Sequence, residues 1–410
     1  MAAVTIIGIG DNGCVGMSAR AYNCIQKAQV LVGGERHLDF FSDFKGEKLT
    51  LKNGLMKAIH SIGEKCQEEN VVVLASGDPL FYGVGDIITK KVGKEHVEII
   101  PTCSSVQLAF SRIGKKWDDA KVISVHGRSI KGLVNKIRDE YKVFLMTDEE
   151  NTPTVISEYL ESYGETDWSF TVCENLEGSN EKIHQFASVT DVKGDFSSLN
   201  VIILLRDPKK ISKRSITARV EEAFQKRMPK KGLITKKEVR AIALMNMELC
   251  EDSIVWDIGA GSGSLSVESA LIAKNGHVYA VETDPLGVEI CEENKRSFKV
   301  DNVTVVHTRA PEGLSDLPKP NRIFIGGTKG KMEEIISVCF DALQDEGILV
   351  LSAITMQSVA LALEVFEKMK LKPEVQLVQV SRGKPLAHYL RYEALNPIHL
   401  FTVKRSNEIR

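Results

Sequence analysis

The sequence predicts two α/β domains in tandem. Its 410 residues exceed what one core ordinarily organises, at roughly 100–200 residues per domain. Short runs rich in Val, Ile and Leu alternate with helical patterns along most of the chain. The alternation breaks once, at the basic stretch Lys209-Lys210-Ile211-Ser212-Lys213-Arg214 and at Met228-Pro229-Lys230-Lys231-Gly232. Such a run reads as a solvated linker. The expected division is 1–206, a linker over 207–230, and 231–410.

In the first domain, strands are expected at 4–10, 71–75, 97–101, 121–125, 142–147, 168–173 and 200–205. Helices are expected over Ala19–Ala28, Leu55–Glu69, Ser104–Ile113 and Thr152–Tyr163, and a short one over Arg219–Arg227 in the linker. The second domain should open with a capped helix, because Glu238 follows Thr235 at capping-box spacing. Strands then fall at 253–258, 277–282, 302–307, 321–326 and 346–352, with helices at 264–274, 285–298, 330–343 and 355–369. The tail segments 374–380 and 397–404 read as an antiparallel pair.

Composition narrows the class. The hydrophobic share of 43% and charged share of 26% are ordinary for a soluble globular protein. A net charge of -2 provides no global field for nucleic acid or an anionic membrane, so neither is expected as a partner. The eight cysteines include no CxxC pair and no zinc spacing, which implies free thiols, no metal site and a reducing cytoplasm. No secretory signal and no membrane-spanning run of ~18 apolar residues is read.

The clearest motif is Asp257-Ile258-Gly259-Ala260-Gly261-Ser262-Gly263, a glycine-rich turn between a strand and a helix. Glycines there let the chain turn sharply and let a ligand approach the backbone. Nicotinamide dehydrogenases use a similar turn. Asp257, two residues before the first glycine, favours a cationic sulfonium cofactor over a pyrophosphate. Glu282 ends the next strand, nineteen residues past Gly263, where a carboxylate can accept hydrogen bonds from ribose hydroxyls. Together with the antiparallel tail, the motif reads as a Rossmann-like class I methyltransferase domain using S-adenosyl-L-methionine.

The first half carries a set of loops at strand ends: Gly8-Ile9-Gly10, Ser76-Gly77-Asp78-Pro79, Pro101-Thr102-Cys103-Ser104-Ser105-Val106, and Ser124-Val125-His126-Gly127-Arg128. With Asp148, Pro153 and Glu174-Asn175-Leu176-Glu177, the set resembles the tetrapyrrole methylase family over about residues 3–206. These class III methyltransferases have two α/β lobes. One departure is Thr102, where the family commonly has glycine; a turn needing positive φ would make threonine costly there. Gly232 to Ala241, Arg309-Ala310-Pro311-Glu312 and Phe324-Ile325-Gly326-Gly327-Thr328 resemble the decarboxylating methyltransferase domains of cobalamin biosynthesis.

The joint resemblance implies two cofactor sites and a precorrin-type tetrapyrrole substrate. The first domain would methylate C-5 of the macrocycle. The second would methylate C-15 and decarboxylate the acetate on C-12. It places cofactor contacts on Thr235, Gly259 to Gly263, Glu282 and Ala310, and on Gly10, Asp78, Phe81, Tyr82, Ser105 and Val106. It also implies a homo-oligomer. Because the ring carbon is itself the nucleophile, no catalytic triad is expected. His126, His388 and Tyr389 are candidate proton donors, and Arg128, Arg240, Lys329, Arg382 and Lys384 are candidate partners of the substrate carboxylates. Three other readings stay open: an RNA or protein acceptor for the second domain, a non-catalytic cofactor-binding half, and a nicotinamide dehydrogenase.

Overall fold

A computed structural model describes residues 4–51, 54–211, 218–226 and 234–405. The chain forms two compact units, Met1–Ser129 with Tyr141–Pro208, and Ile130–Glu140 with Lys209–Arg410.

The first unit holds two sheets. The first comprises β1 (Val4–Ile9), β2 (Val30–Gly33), β3 (Glu47–Thr50), β4 (Val71–Ser76) and β5 (Val97–Ile100), all parallel, in the order β3-β2-β4-β1-β5. β1 shows why this sheet is covered on both sides. Val4 and Ile6 enter one apolar cluster, while Ile7 and Ile9 enter another on the opposite face. The second sheet comprises β6 (Lys121–Ser124), β7 (Lys142–Met146), β8 (Ser169–Glu174), β9 (Lys182–Phe186) and β10 (Asn200–Leu205), in the order β6-β7-β10-β8-β9. Only its β6–β7 pair is parallel.

The second unit is built on β11 (Ile254–Ile258), β12 (His277–Glu282), β13 (Val303–His307), β14 (Arg322–Ile325), β15 (Ile348–Ala353), β16 (Glu374–Val378) and a last strand at Ile398–Lys404. A hairpin of β17 (Ser381–Leu386) and β18 (Tyr389–Ala394) precedes that last strand, β19. The order is β13-β12-β11-β14-β15-β19-β16, with β19 antiparallel to both of its neighbours. The strand order reverses at β11, so the turn after β11 sits at a switch point, where open α/β sheets bind ligands. Val255 buries into one core cluster and Trp256 and Ile258 into the other, so helices cover both faces.

The excursion Ile130–Glu140 packs with this second unit, unlike a simple break at residue 206. Its helix Leu133–Ile137 is held at its start by Asp301, whose carboxylate accepts from Val134 N at 2.8 Å and Asn135 N at 2.9 Å. Asn135 Nδ2 donates to Ala270 O at 2.7 Å and Lys274 pairs with Asp139 at 2.7 Å.

Two local expectations are corrected. The helix beginning near Thr235 runs over Lys237–Asn246, and its N-cap is Lys236 with no side-chain hydrogen bond. Glu238 turns to Arg382 instead, so no capping box forms. The helix expected over Arg219–Arg227 is a single tight turn at Glu221–Ala223. Arg227, Ser212 to Arg214 and Met228 to Leu233 lie outside the described residues. Among the described residues no helix is long and apolar enough to cross a membrane, and no group of His, Cys, Asp or Glu is placed to hold a metal.

Candidate cofactor and substrate sites

In the second unit the glycine turn closes tightly between β11 and helix Ser264–Ile272. Gly259 has φ +74°, and a Cβ there would lie 2.9 Å from the nitrogen and oxygen of Gly327. The loop after β14 therefore packs directly on the turn, which joins two segments far apart in sequence. Gly259 and Ala260 donate to Val281 O at 2.9 and 3.0 Å, anchoring the turn to β12. Glu282 sits at the tip of β12 as expected. Its Oε2 accepts from Gly261 N at 2.7 Å, and Oε1 accepts from Thr283 and Asp284 N at 2.8 Å. A carboxylate oxygen has two lone pairs, so Oε2 keeps acceptor capacity for a ligand hydroxyl. The buried Ser262 hydroxyl in the same turn has no partner among the described residues. An orphaned polar atom and an acceptor at the strand tip fit a ribose-bearing cofactor. Ala310 packs partly buried against the adjoining core.

Asp257 is a correction. It is 1% exposed and its carboxylate turns inward to the Ser266 hydroxyl. Burial pushes its pKa up to about 7, with Glu282 adding and Ser266 opposing. It braces the turn from behind and cannot meet a sulfonium.

Arg240 is a second correction. It is fully buried, with Nε 3.0 Å from Glu268, itself fully buried. The pair is a hub. Arg240 donates to Thr235 O at 2.7 Å and to Arg219 O, and Glu268 accepts from Ala218 N at 3.2 Å and Arg219 N at 2.9 Å. Thr235 is thus positioned through its carbonyl, but Arg240 has no face for a substrate. Arg382 is likewise committed: it forks onto Glu238 and onto Glu221 at 2.7 Å. Burial opposes ionisation of Glu221, yet hydrogen bonds from Arg382 and main-chain amides hold it down at about 2. Lys384 pairs across the hairpin with Glu393 at 2.9 Å. Arg382 is neutralised before any substrate arrives, whereas the Lys384 pair is half exposed and open to exchange. Lys329, exposed at φ +45° in the loop after β14, has no side-chain partner among the described residues. His388 and Tyr389 lie at the far turn of the β17–β18 hairpin, and neither side chain makes a hydrogen bond among the described residues.

In the first unit three strand ends meet. A Cβ on Gly8 would lie 2.0 Å from Gly77 O and 2.7 Å from Thr102 N, so the ends of β1, β4 and β5 touch through bare backbone. Thr102 is not among the positive-φ residues, and the threonine carries no left-handed cost. Gly10 abuts Asn12 and Glu177, which are hydrogen-bonded at 3.0 Å, bringing in the segment after β8. Asp78 shapes its own turn, accepting from Leu80 N at 2.9 Å. Phe81 packs on the core of the second sheet, and Tyr82 stands edge-on to it at 5.2 Å with φ +54°. Ser105 begins helix Ser105–Arg112 behind a capping box of Ser104 and Gln107. Val106 is 1% exposed, so only its main chain can reach a ligand. His126 Nδ1 lies 2.8 Å from Thr147 O, which fixes the proton on that nitrogen, and Arg128 is exposed beside it.

Comparison with known proteins follows the same division. A model described as a precorrin methyltransferase domain matches residues 226–405, and one described as tetrapyrrole (corrin/porphyrin) methylases matches residues 3–188. A precorrin-6Y C(5,15)-methyltransferase [decarboxylating] from Sinorhizobium sp is 30% identical over 96% of this chain and 94% of its own. The chain belongs to the precorrin-6Y C(5,15)-methyltransferase (decarboxylating) family. Two shorter relatives match part of it. A probable cobalt-precorrin-6B C(15)-methyltransferase (decarboxylating) from Pyrobaculum aerophilum is 37% identical over 41% of this chain and 87% of its own. A cobalt-precorrin-7 C(5)-methyltransferase from Salmonella typhimurium is 35% identical over 49% of this chain and 98% of its own.

Within this precorrin methyltransferase frame, sequence reasoning missed Ser266, Glu268 and Gly327's contact with Gly259. Ser266 and Glu268 lie on a helix that is buried all round, where no amphipathic stripe marks the inward face. It also missed Arg36 and His37, and took Ser76 only as part of its loop.

Proposed function

We propose that this chain methylates a precorrin-6-type tetrapyrrole at C-5 in its first unit and at C-15 in its second, and there decarboxylates the C-12 acetate. The observation that carries the reading is that one chain holds both loop constellations, each with its glycine turn at the carboxyl ends of parallel strands. S-adenosylmethionine supplies an electrophilic methyl group. Thr235, Gly259 to Gly263, Glu282 and Ala310 would hold it in the second unit, and Gly10, Asp78, Phe81, Tyr82, Ser105 and Val106 in the first.

The chain's own contribution is positioning. Bound by those residues, the cofactor would supply its methyl group to a nucleophilic carbon of the ring. Orientation of the two reactants can contribute roughly 7–11 kcal/mol. In decarboxylation the C–CO₂ bond breaks and its electrons enter the conjugated ring, which then takes a proton. His126, with Nε2 free of the Thr147 bond, lies in the first unit and so is not the donor for this step; His388 and Tyr389 are the second unit's candidates. Arg128 and Lys329 are exposed cations that can meet substrate carboxylates, with Lys384 available if it leaves Glu393.

Mass spectrometry of product from metal-free and cobalt-loaded substrate tests this. Gain of two methyl groups with loss of one carbon dioxide is expected from one of the two. Gain of a single methyl would leave one unit non-catalytic, and no gain from either would overturn the reading.

A further inference from the structure

The carboxyl edge of the β1–β5 sheet holds a polar cluster that no motif assigns. Arg36 and His37 lie on the short helix Glu35–Asp39 after β2. Ser76 ends β4 just before the Gly77-Asp78 loop, and Asp11 follows Gly10 after β1. Arg36 spans both loops. Its Nη1 is 3.4 Å from Asp11 Oδ1, and its Nη2 is 3.4 Å from Ser76 Oγ and 3.2 Å from His37 Nε2. Ser76 Oγ is also 3.2 Å from that ring nitrogen.

The donor inventory fixes the protons. A guanidinium only donates, so His37 Nε2 accepts and the ring is neutral with its proton on Nδ1. Burial, reinforced by the Arg36 charge, pushes the His37 pKa down to about 4 in keeping with this. The buried Nδ1 has no hydrogen-bond partner among the described residues, so the ring is not held in place by a bond of its own on that side. His37 is an uncharged acceptor that aims Arg36 and Ser76 outward. The contacts to Arg36 are longer than the 2.7–2.9 Å of a charge-assisted hydrogen bond. Its side chain is 41% exposed. Arg36 is therefore aligned but not saturated, in contrast to Arg382.

We propose that Arg36 and Ser76 form a carboxylate-binding site between the loops after β1 and β4, with His37 as its positioning residue. The site rests on the reading of those loops as a cofactor site. The carboxylate is the amino-acid end of the cofactor or an acetate or propionate arm of the macrocycle. In both cases it competes with Asp11 for Nη1 and takes Nη2 in a forked bond.

Isothermal titration calorimetry on the full chain tests this with three probes: S-adenosylhomocysteine, 5′-methylthioadenosine, which lacks the amino-acid end, and cobyrinic acid, a corrin polycarboxylate. If the cofactor supplies the carboxylate, Arg36→Ala weakens S-adenosylhomocysteine at one site by about ten- to a hundredfold and leaves methylthioadenosine unchanged. If the macrocycle supplies it, the same variant weakens only cobyrinic acid, by a similar factor. Arg36→Lys retains charge without the fork and falls between wild type and Arg36→Ala. His37→Phe, which removes the acceptor, weakens the same probe as Arg36→Ala does. Unchanged affinity of Arg36→Ala for all three probes overturns the site alone. Failure of the wild-type chain to bind any of them overturns the functional reading and the site with it.

Discussion

A carboxylate sealed from solvent cannot meet a charged ligand, and Asp257 is sealed. Its place before the glycines was legible in the sequence, but its direction was not, because that depends on Ser266 nine residues along a wholly buried helix. The consequence is a pH signature. Folded Asp257 keeps its proton up to about pH 7, whereas an unfolded aspartate releases it near 3.8. The folded state therefore binds more protons in that window, and stability falls as pH rises through it. Asp257→Asn removes the titration. Its stability relative to wild type, measured by urea unfolding, is expected to rise by about 2–3 kcal/mol between pH 5 and pH 8. A difference independent of pH would refute the buried-acid account. Gly259 gives a second residue-scale prediction. Gly259→Ala places a methyl against Gly327 in a left-handed backbone, so equilibrium dialysis should find one cofactor per chain where the wild type binds two. Two per chain in the variant would show that this turn is not a cofactor site.

At the scale of elements, what could be read from the sequence depended on burial. The long apolar strands β1, β4, β7, β8 and β10 were legible because buried runs of Val, Ile and Leu are unambiguous. β2 is buried but only four residues long, and β3 and β9 are polar edge strands without a continuous apolar run. The β17–β18 hairpin is almost wholly exposed, so no alternation marks it. Its Arg382 looked like a free substrate cation for the same reason: Glu221 and Glu238 are over a hundred residues away. The structure gives Arg382 a structural task. Arg382→Ala leaves Glu221, 5% exposed, without its cation, and is expected to lower stability by about 2 kcal/mol while cofactor affinity stays unchanged. Thermal melts and calorimetry on the same sample check both halves. An unaltered Tm with weakened macrocycle binding would restore Arg382 to the substrate site.

For the molecule as a whole, the order of the two domain types was visible from motif order alone, since each glycine-bearing loop follows its own strand. The excursion at 130–140 was not, because its helix of five residues carries no signal of which core it joins. Asp301, 1% exposed, satisfies the two amides at that helix start. Asp301→Ala should cost about 2–3 kcal/mol in denaturant unfolding, and a neutral result would show that the excursion adds nothing to the second core. The excursion also bears on whether the chain can be divided. Shorter relatives match each only part of this chain, which suggests that such enzymes can be carried by separate genes. Here Ile130–Glu140, which falls inside the tetrapyrrole methylase match at 3–188, belongs to the second compact unit. Splitting this reading frame after residue 208 would leave the downstream product with a buried carboxylate and an open seat where Leu133–Ile137 had been. One cut in the chain therefore cannot part the two units cleanly.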